Sequence, residues 1–340
     1  MVRIAVDAMG GDYAPREIVH GAVLAAREFS VSVQLVGQPE LIQAELKRHD
    51  HEGLDIGIVP ASEVIAMDES AAHRAVAKKK DSSIVVATMQ AADGKADAVV
   101  TAGSTAAAAA ASRFYLGRID GVERAPIAVP MPSTMDHPCM LLDGGAFHDA
   151  DAIHLEQYAL MGSILVEGLF NVQKPRVGIL NIGTEQTKGP EYVRAAYKLL
   201  RNNNKVNFIG FVEARDFPMG KCDVLVCDGF SGNVALKTAE GVAKMIGFML
   251  TQEIYRDTRS KLGGAIVKPA LDRMKRRIDY NEFGGALLIG LKSVYLKAHG
   301  GSKHTAIKNA IRTARDMINA NIVKQTEHTF SALVGAGNRK

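Results

Sequence analysis

Short runs of β-branched and aliphatic residues alternate with stretches of helical periodicity, and this alternation limits the fold more than any other feature. Strands are predicted over 3–6, 31–36, 54–59, 98–101, 127–131, 139–142, 177–180, 206–209 and 224–226. Helices are predicted over 15–29, 39–47, 71–92, 104–115, 153–170, 190–201 and 233–255. Strands separated by helices pair in parallel, with helices on both faces, so the expected class is a three-layer α/β/α fold with a mostly parallel sheet. The 340 residues are 47% hydrophobic, enough for one large sheet domain or two smaller ones. No repeat or low-complexity linker divides the chain. It therefore reads as a single α/β domain over 1–340, from which 241–278 departs as a helical hairpin.

The loops at the predicted strand ends are rich in glycine. The stretch from Arg176 to Gly189 passes from a buried strand into a polar loop bracketed by Gly183 and Gly189. A helix opened by Pro190 follows. A strand that ends in a glycine loop and opens a helix presents N–H groups and a positive helix end to an anion. The same pattern recurs at 7–15, 101–105, 142–145 and 227–233. In a parallel sheet these five loops share one edge, where ligands bind. With Lys188 and Lys237 among them, the expected ligand carries phosphate.

Other chemistries lack their signatures. There is no Walker A loop, no dinucleotide fingerprint and no Gly-x-Ser-x-Gly elbow, and no His/Asp/Glu cluster has metal spacing. Neither a metal nor a cofactor is expected. Asp149 and Asp151 read as helix caps. A net charge of +4 does not suggest nucleic acid. Three cysteines fit neither a disulfide framework nor a zinc site and suit a reducing cytoplasm. The N-terminus is not a signal peptide, and no apolar run reaches the ~18 residues of a spanning helix. Any membrane contact is expected to be peripheral.

Several blocks resemble the bacterial PlsX family, the phosphate acyltransferases that use acyl-acyl-carrier protein. They are Asp-Ala-Met-Gly-Gly-Asp at 7–12, Ala-Ser-Glu-Val-Ile at 61–65, Lys-Lys-Lys-Asp-Ser-Ser at 78–83 and Asn-Ile-Gly-Thr-Glu at 181–185. Val-Cys-Asp-Gly-Phe at 226–230, Gly-Asn-Val-Ala-Leu-Lys at 232–237 and Lys-Ala-His-Gly at 297–300 continue the likeness over nearly the whole chain. The resemblance implies a fold similar to phosphotransacetylase and to the isocitrate/isopropylmalate dehydrogenases. It implies transfer of a fatty acyl group from acyl carrier protein to inorganic phosphate, giving acyl phosphate for phospholipid synthesis. A cytoplasmic homodimer that touches the membrane peripherally is also implied. Two loops depart from the family pattern. Thr101-Ala-Gly-Ser-Thr-Ala-Ala107 stands for Ser-Ala-Gly-Asn-Thr-Gly-Ala, and Gly145-Ala146-Phe147 stands for Gly-Ala-Asn.

A thioester is already activated, so such an enzyme needs positioning and oxyanion stabilisation more than a nucleophilic side chain. Lys188 is the expected charge on phosphate or oxyanion, and Asn233 an oriented amide donor. Gly10, Gly11, Gly103, Ser104, Thr105, Gly183, Thr184 and Gly232 are the expected phosphate-facing loop positions. Lys237 reads equally as a ligand or a solvated lysine. Asp12 reads as a site residue or an N-cap, and His299 as a structural hydrogen-bonder or a catalyst. Two alternatives are a nicotinamide-dependent dehydrogenase on the related fold and a weakly active membrane scaffold of the same family.

In the hairpin, Val242, Met245, Ile246, Met249 and Leu250 form one apolar stripe. After an expected break at Gly263–Gly264, Val267, Leu271, Met274 and Ile278 form a second. Eight basic and two acidic residues lie between Arg256 and Arg277. Such a hairpin can lie in a membrane interface, dock an acidic carrier protein or pack a dimer. The resemblance favours membrane contact by a tip around Leu262, Ile266 and Val267. Arg273, Lys275, Arg276 and Arg277 would then serve anionic lipid or the carrier.

Overall fold

The computed structural model describes residues 1–69, 71–278 and 280–337; the side chains of Arg276, Ile278, Tyr280, Asn281 and 334–337 lie outside that description. Its strands are β1 (Arg3–Asp7), β2 (Ser32–Gly37), β3 (Ile56–Pro60), β4 (Ala98–Thr101), β5 (Ile127–Met131), β6 (Cys139–Leu142), β7 (Arg176–Leu180), β8 (Asn207–Val212), β9 (Val224–Val226), β10 (Ala286–Leu288) and β11 (Val294–Lys297). Its helices are α1 (Arg16–Phe29), α2 (Pro39–Leu46), α3 (Ala72–Lys78), α4 (Ser83–Ala92), α5 (Thr105–Ala111), α6 (Ala152–Phe170), α7 (Glu191–Arg201), α8 (Gly229–Tyr255), α9 (Thr258–Ile278), α10 (His304–Asn319) and α11 (Ile322–Gly337).

All eleven strands form one sheet in the order β3-β2-β1-β4-β11-β10-β5-β6-β9-β7-β8. Alternate strand residues enter two separate cores. Ile4, Val6, Val33 and Leu35 pack with α1, α2, α6, α7 and α10 on one face. Ala5, Val36 and Val99 pack with α3, α4 and α5 on the other. This is the expected α/β/α sandwich. Strands β4, β6 and β9 are buried at every residue, as strands covered on both faces must be.

The sheet is mostly parallel, but it reverses at its centre. Strand β10 runs antiparallel to β11 and β5, and β5 runs antiparallel to β6. Strands β1, β2, β3, β4 and β11 therefore point one way, and β6, β7, β8 and β9 the other. This corrects the expectation that the five glycine loops share one edge. The loops after β1 and β4 leave one edge, and those after β6, β7 and β9 leave the opposite one. Strands β10 and β11, which make the reversal possible, lie in a Gly-rich stretch with no helix between them, so the alternation of strands and helices does not mark them.

The helix predicted over 71–92 is two helices. Ser83 N–H donates to Glu63 O (3.1 Å) and Glu63 N–H to Asp81 O (3.1 Å), so the 79–82 segment is pinned to a neighbouring loop instead of continuing as helix. Asp151 caps α6 in a capping box with His154, as read from the sequence; Asp149 instead pairs with Arg124 (2.6 Å).

In the hairpin the expected break at Gly263–Gly264 is absent. Helix α9 runs through both glycines, and the turn falls at Arg256–Asp257. Asp257 accepts from Ser260 N–H (2.9 Å) and Oγ (3.0 Å), which starts α9. Gly264 is small because a Cβ there would meet Ile254 of α8 (2.5 Å). Leu262, Ile266 and Val267 are thus exposed residues on α9 rather than a loop tip.

Helices α1 and α10 are joined by Glu17. It accepts from His304 N–H (3.0 Å) and contacts His304 Nδ1 (2.7 Å). The backbone bond, with the His304 ring, holds the Glu17 carboxyl at about 2. A depressed carboxyl stabilises the fold above its unfolded value near 4.5, and that contribution is lost as pH falls towards 2. Glu17→Gln should cost about 2–3 kcal/mol at pH 7, and the gap to wild type should shrink towards zero near pH 2, read by urea unfolding across pH. Spacing along the sequence offers no metal site, yet folding brings Glu17, His20 and His304 together, with ligand atoms within 4.8 Å of one another. The Glu17–His304 bonds give this group a structural role at the α10 N-terminus.

Candidate active site

Three buried aspartates organise the strand ends. Asp7, at the end of β1, accepts from Thr101 Oγ1 (2.7 Å) and from Met9 N–H (3.2 Å), with Ser83 and Gly10 N–H as further donors. Thr101 Oγ1 in turn accepts from Gly103 N–H (2.9 Å). Asp143, after β6, accepts from the N–H groups of Ile127 (3.1 Å), Gly145 (3.0 Å), Ala146 (2.9 Å) and Phe147 (2.8 Å). Asp228, after β9, caps α8 by accepting from Phe230 and Ser231 N–H (both 2.9 Å), and takes Tyr192 Oη (2.8 Å). Burial pushes the Asp7 and Asp143 carboxyls up against these donors. At Asp228 the donors prevail over burial and hold its carboxyl low.

These carboxylates correct part of the expectation that glycine-loop N–H groups face a phosphate. Gly10 and Gly103 direct theirs to Asp7 and Thr101. Gly232 donates to Asp228 O inside α8 (2.9 Å), and a Cβ there would collide with Asp143 O. Gly232 therefore lets α8 cross the 143–147 loop closely and does not offer a donor. Gly11 has φ +102°, and a Cβ on it would meet Ala102 and Gly300 O (both 3.0 Å). Ser104 and Thr105 begin α5, and no hydrogen bond to their N–H groups is found among the described residues.

With the loop donors so engaged, the open positive charge comes from lysines. Asp12 does not cap α1, whose N-cap is Pro15. Its N–H instead donates to Gly300 O (2.9 Å), placing its carboxylate against Gly300 and Gly301. Here the two edges meet: α8 carries Lys237 from the β9 end to the β11 end, near enough for its charge to act on Lys297 and His299. Lys237 also pairs with Glu240 (2.9 Å). Lys297 is half-buried, and no hydrogen bond or ion pair holds it among the described residues. Burial, then Lys237, pushes its ammonium below the ordinary lysine value, with Asp12 opposing. Desolvation, then Lys297 and Lys237, lowers His299. With Lys237 paired to Glu240, Lys297 is the ammonium of this group that no ion pair holds among the described residues, and so the charge left for an anion. Lys297 is not among the sequence-predicted site residues because it ends a strand that helix–strand alternation does not mark, although it stands in the quoted Lys-Ala-His-Gly block.

Asn233 lies one turn inside α8, because the helix begins at Gly229 and not at the predicted 233. A Cβ on Gly145 would sit 3.5 Å from its side chain, so Asn233 packs on the 143–147 loop. Lys188 and Thr184 are exposed on the 181–189 loop. Asn181 orders that loop through its amide, which donates to Gly183 O (3.1 Å) and Lys188 O (3.3 Å). Lys188 packs its stem beside Gly183, where a Cβ would lie 3.4 Å from it. Among the described residues no hydrogen bond or ion pair joins Lys188 to the Lys237–Lys297 group. The Tyr192–Asp228 bond is what ties the helix after that loop to the start of α8.

The family model described as fatty acid synthesis protein matches residues 2–325. The phosphate acyltransferase of Desulfitobacterium hafniense (strain Y51) is 47% identical over 337 residues, 99% of both chains. That of Clostridium botulinum (strain ATCC 19397 / Type A) is 43% identical over 332 residues, 97% of this chain and 98% of that protein. Among solved structures, a phosphotransacetylase from Streptococcus pyogenes aligns with TM-score 0.61 at 18% identity over 94% of both chains. A 4-hydroxythreonine-4-phosphate dehydrogenase from Klebsiella pneumoniae aligns with TM-score 0.51 at 14% identity, over 92% of this chain and 98% of that one. These two likenesses establish a shared fold.

Proposed function

We infer the function from one premise: the chain belongs to the PlsX family of phosphate acyltransferases, whose family model is described as fatty acid synthesis protein. It is an acyltransferase that moves a fatty acyl group from acyl-acyl-carrier protein to inorganic phosphate, yielding acyl phosphate for phospholipid synthesis. The observation that carries this reading is identity of 43–47% over nearly the full chain to relatives of that name. The dehydrogenase alternative rests on shared fold alone and is not favoured.

In the reaction a phosphate oxygen attacks the thioester carbonyl and forms a tetrahedral oxyanion. The C–S bond then breaks, the carrier thiolate leaves, and the acyl–O–P bond remains. Phosphate at neutral pH is already anionic, so the protein's tasks are alignment and charge stabilisation. Lys237 and Lys297, with the N-terminal N–H groups of α5 at Ser104 and Thr105, are the proposed phosphate contacts. Asn233 is the proposed amide donor, and Asp12 the carboxylate that positions the lysines. Lys188, with Gly183 and Thr184, is the proposed stabiliser of developing charge. Incubation with acyl-acyl-carrier protein should release carrier thiol only when phosphate is present, and hydroxylamine should trap the acyl phosphate as a hydroxamate. Thiol release independent of phosphate would refute the reading.

The hairpin supports a proposal of peripheral membrane contact and homodimer formation. No helix among the described residues is long and apolar enough to cross a membrane. Yet Val242, Met245, Ile246, Met249 and Leu250 are all exposed along α8, as are Val267 and Met274 on α9. Arg273 and Lys275 are exposed, Arg277 donates to Met135 O (3.0 Å), and the Arg276 side chain lies outside the described residues. Changing Leu262, Ile266 and Val267 together to Ser should abolish co-sedimentation with anionic liposomes while thiol release from soluble substrate survives. A variant that still pellets would remove these residues as the anchor, and one that dissociates into monomers would make α9 a subunit contact.

A further inference from the structure

A cavity of about 520 Å³ opens between α5, the 143–147 loop and the ends of β5 and β10, a volume typical of small-molecule sites. Ala109, Ala110, Ile127, Phe147, Leu288 and Leu291 form its apolar wall, and Arg113, Arg118, Glu123, Arg124 and Asp149 also line it. We propose that this cavity receives the acyl tail of the substrate. The proposal rests on the acyl-transfer reading and adds to it where the chain is held and which residues limit its length.

Continuity with the reacting groups is the first argument. Helix α5 begins at Thr105, beside the proposed phosphate contacts, and reaches the cavity at Ala109, within about two turns at 1.5 Å per residue. The 143–147 loop touches Asn233 at Gly145 and lines the cavity with Ala146 and Phe147. A thioester held beside Asn233 therefore has an apolar space within reach of its acyl carbon.

The composition of the walls is the second argument. Helix α5 turns only alanines towards the space, so the cavity persists because the sequence places methyl groups where larger side chains would close it. Phe147 is held by a neighbour in the lining: the Arg124 guanidinium lies 5.1 Å from its ring centroid, and Arg124 is itself held by Asp149 at 2.6 and 3.1 Å. Arg113 and Arg118 line the cavity from exposed positions and have no ion pair among the described residues. An apolar wall beside unpaired cations suits a hydrocarbon chain whose thioester end continues into an anionic carrier.

Ala110→Phe fills the slot, and the assay is phosphate-dependent thiol release from carriers bearing chains of four to eighteen carbons. The ratio of kcat/KM for C16 to that for C4 should fall at least about tenfold, chiefly through KM. Phe147→Ala, which opens the slot, should shift the optimum towards longer chains and keeps the test decisive should Ala110→Phe not fold. Cis-parinarate, a fluorescent C18 fatty acid, should bind wild type, be displaced by palmitate, and lose affinity in Ala110→Phe. A folded Ala110→Phe whose chain-length profile runs parallel to wild type overturns the proposal. So does an unchanged profile with a changed oligomeric mass, which would mean that a second copy covers this face. If wild type releases no thiol with any chain length, the acyl-transfer reading fails, and parinarate binding still decides whether the cavity takes a fatty chain.

Discussion

Lys188→Ala should lower kcat by about 10²–10³ with little change in thermal stability, measured by thiol release at saturating substrates. The side chain is exposed and no ion pair holds it among the described residues, so truncation removes a charge without breaking a packed network. A charge that meets the oxyanion acts only as the oxyanion forms, and its loss appears in kcat. Lys297→Met provides the contrast. Its ammonium is half-buried beside Lys237 and Asp12, and a methionine of similar length retains the packing. If Lys297 binds ground-state phosphate, its removal should raise KM for phosphate about tenfold and leave kcat nearly unchanged. In wild type the pH dependence follows from the sign. Burial and Lys237 push the ammonium down, so phosphate affinity should fall with rising pH earlier than an ordinary lysine would allow. Near-normal kcat in Lys188→Ala would remove that lysine from the mechanism.

Nine strands are legible in the sequence because runs of Val, Ile and Leu set between helical stretches leave a local signal, even in β9, where only three residues pair. The sequence did not reveal the sheet's reversal. That depends on β10 and β11, whose seven residues lie in a Gly-rich segment with no helix between them. The error had a chemical consequence. Loops assigned to one edge lie on two, and α8 is the element that joins them. The glycine loops were legible as loops, but the destination of their N–H groups was not. Asp7, Asp143 and Asp228 each follow or end a strand, and their side chains fold back on the donors of the next turn. That pattern is visible as Asp-x-x-Gly or Asp-Gly in the text of the chain, yet it reads equally as a ligand site or an internal plug. Only the hydrogen-bond partners decide. Lys237 and Asp12, left open between a site and a bland role, are drawn together by folding with Lys297.

Asp143→Ala should cost about 3–5 kcal/mol of folding stability, because it strips the acceptor from four backbone donors at once. The site is sealed. Asp143 is fully buried, and Gly229 and Gly232 of α8 press on the same loop, where a Cβ on either would collide with backbone. Water therefore has little room to replace the carboxylate. Asp143→Asn can keep the three bonds at Oδ1 but sets its amide nitrogen against Phe147 N–H, so its cost should be smaller than that of Asp143→Ala. The effect reaches catalysis through geometry. The 143–147 loop contacts Asn233 at Gly145 and carries Phe147, so both variants should lower kcat as well as thermal stability, whereas Lys188→Ala lowers kcat alone. Measuring unfolding and turnover on the same preparations separates the two cases. An Asp143→Ala protein that unfolds at the wild-type temperature would mean that the loop's four donors find other partners, and that the carboxylate is not what closes it.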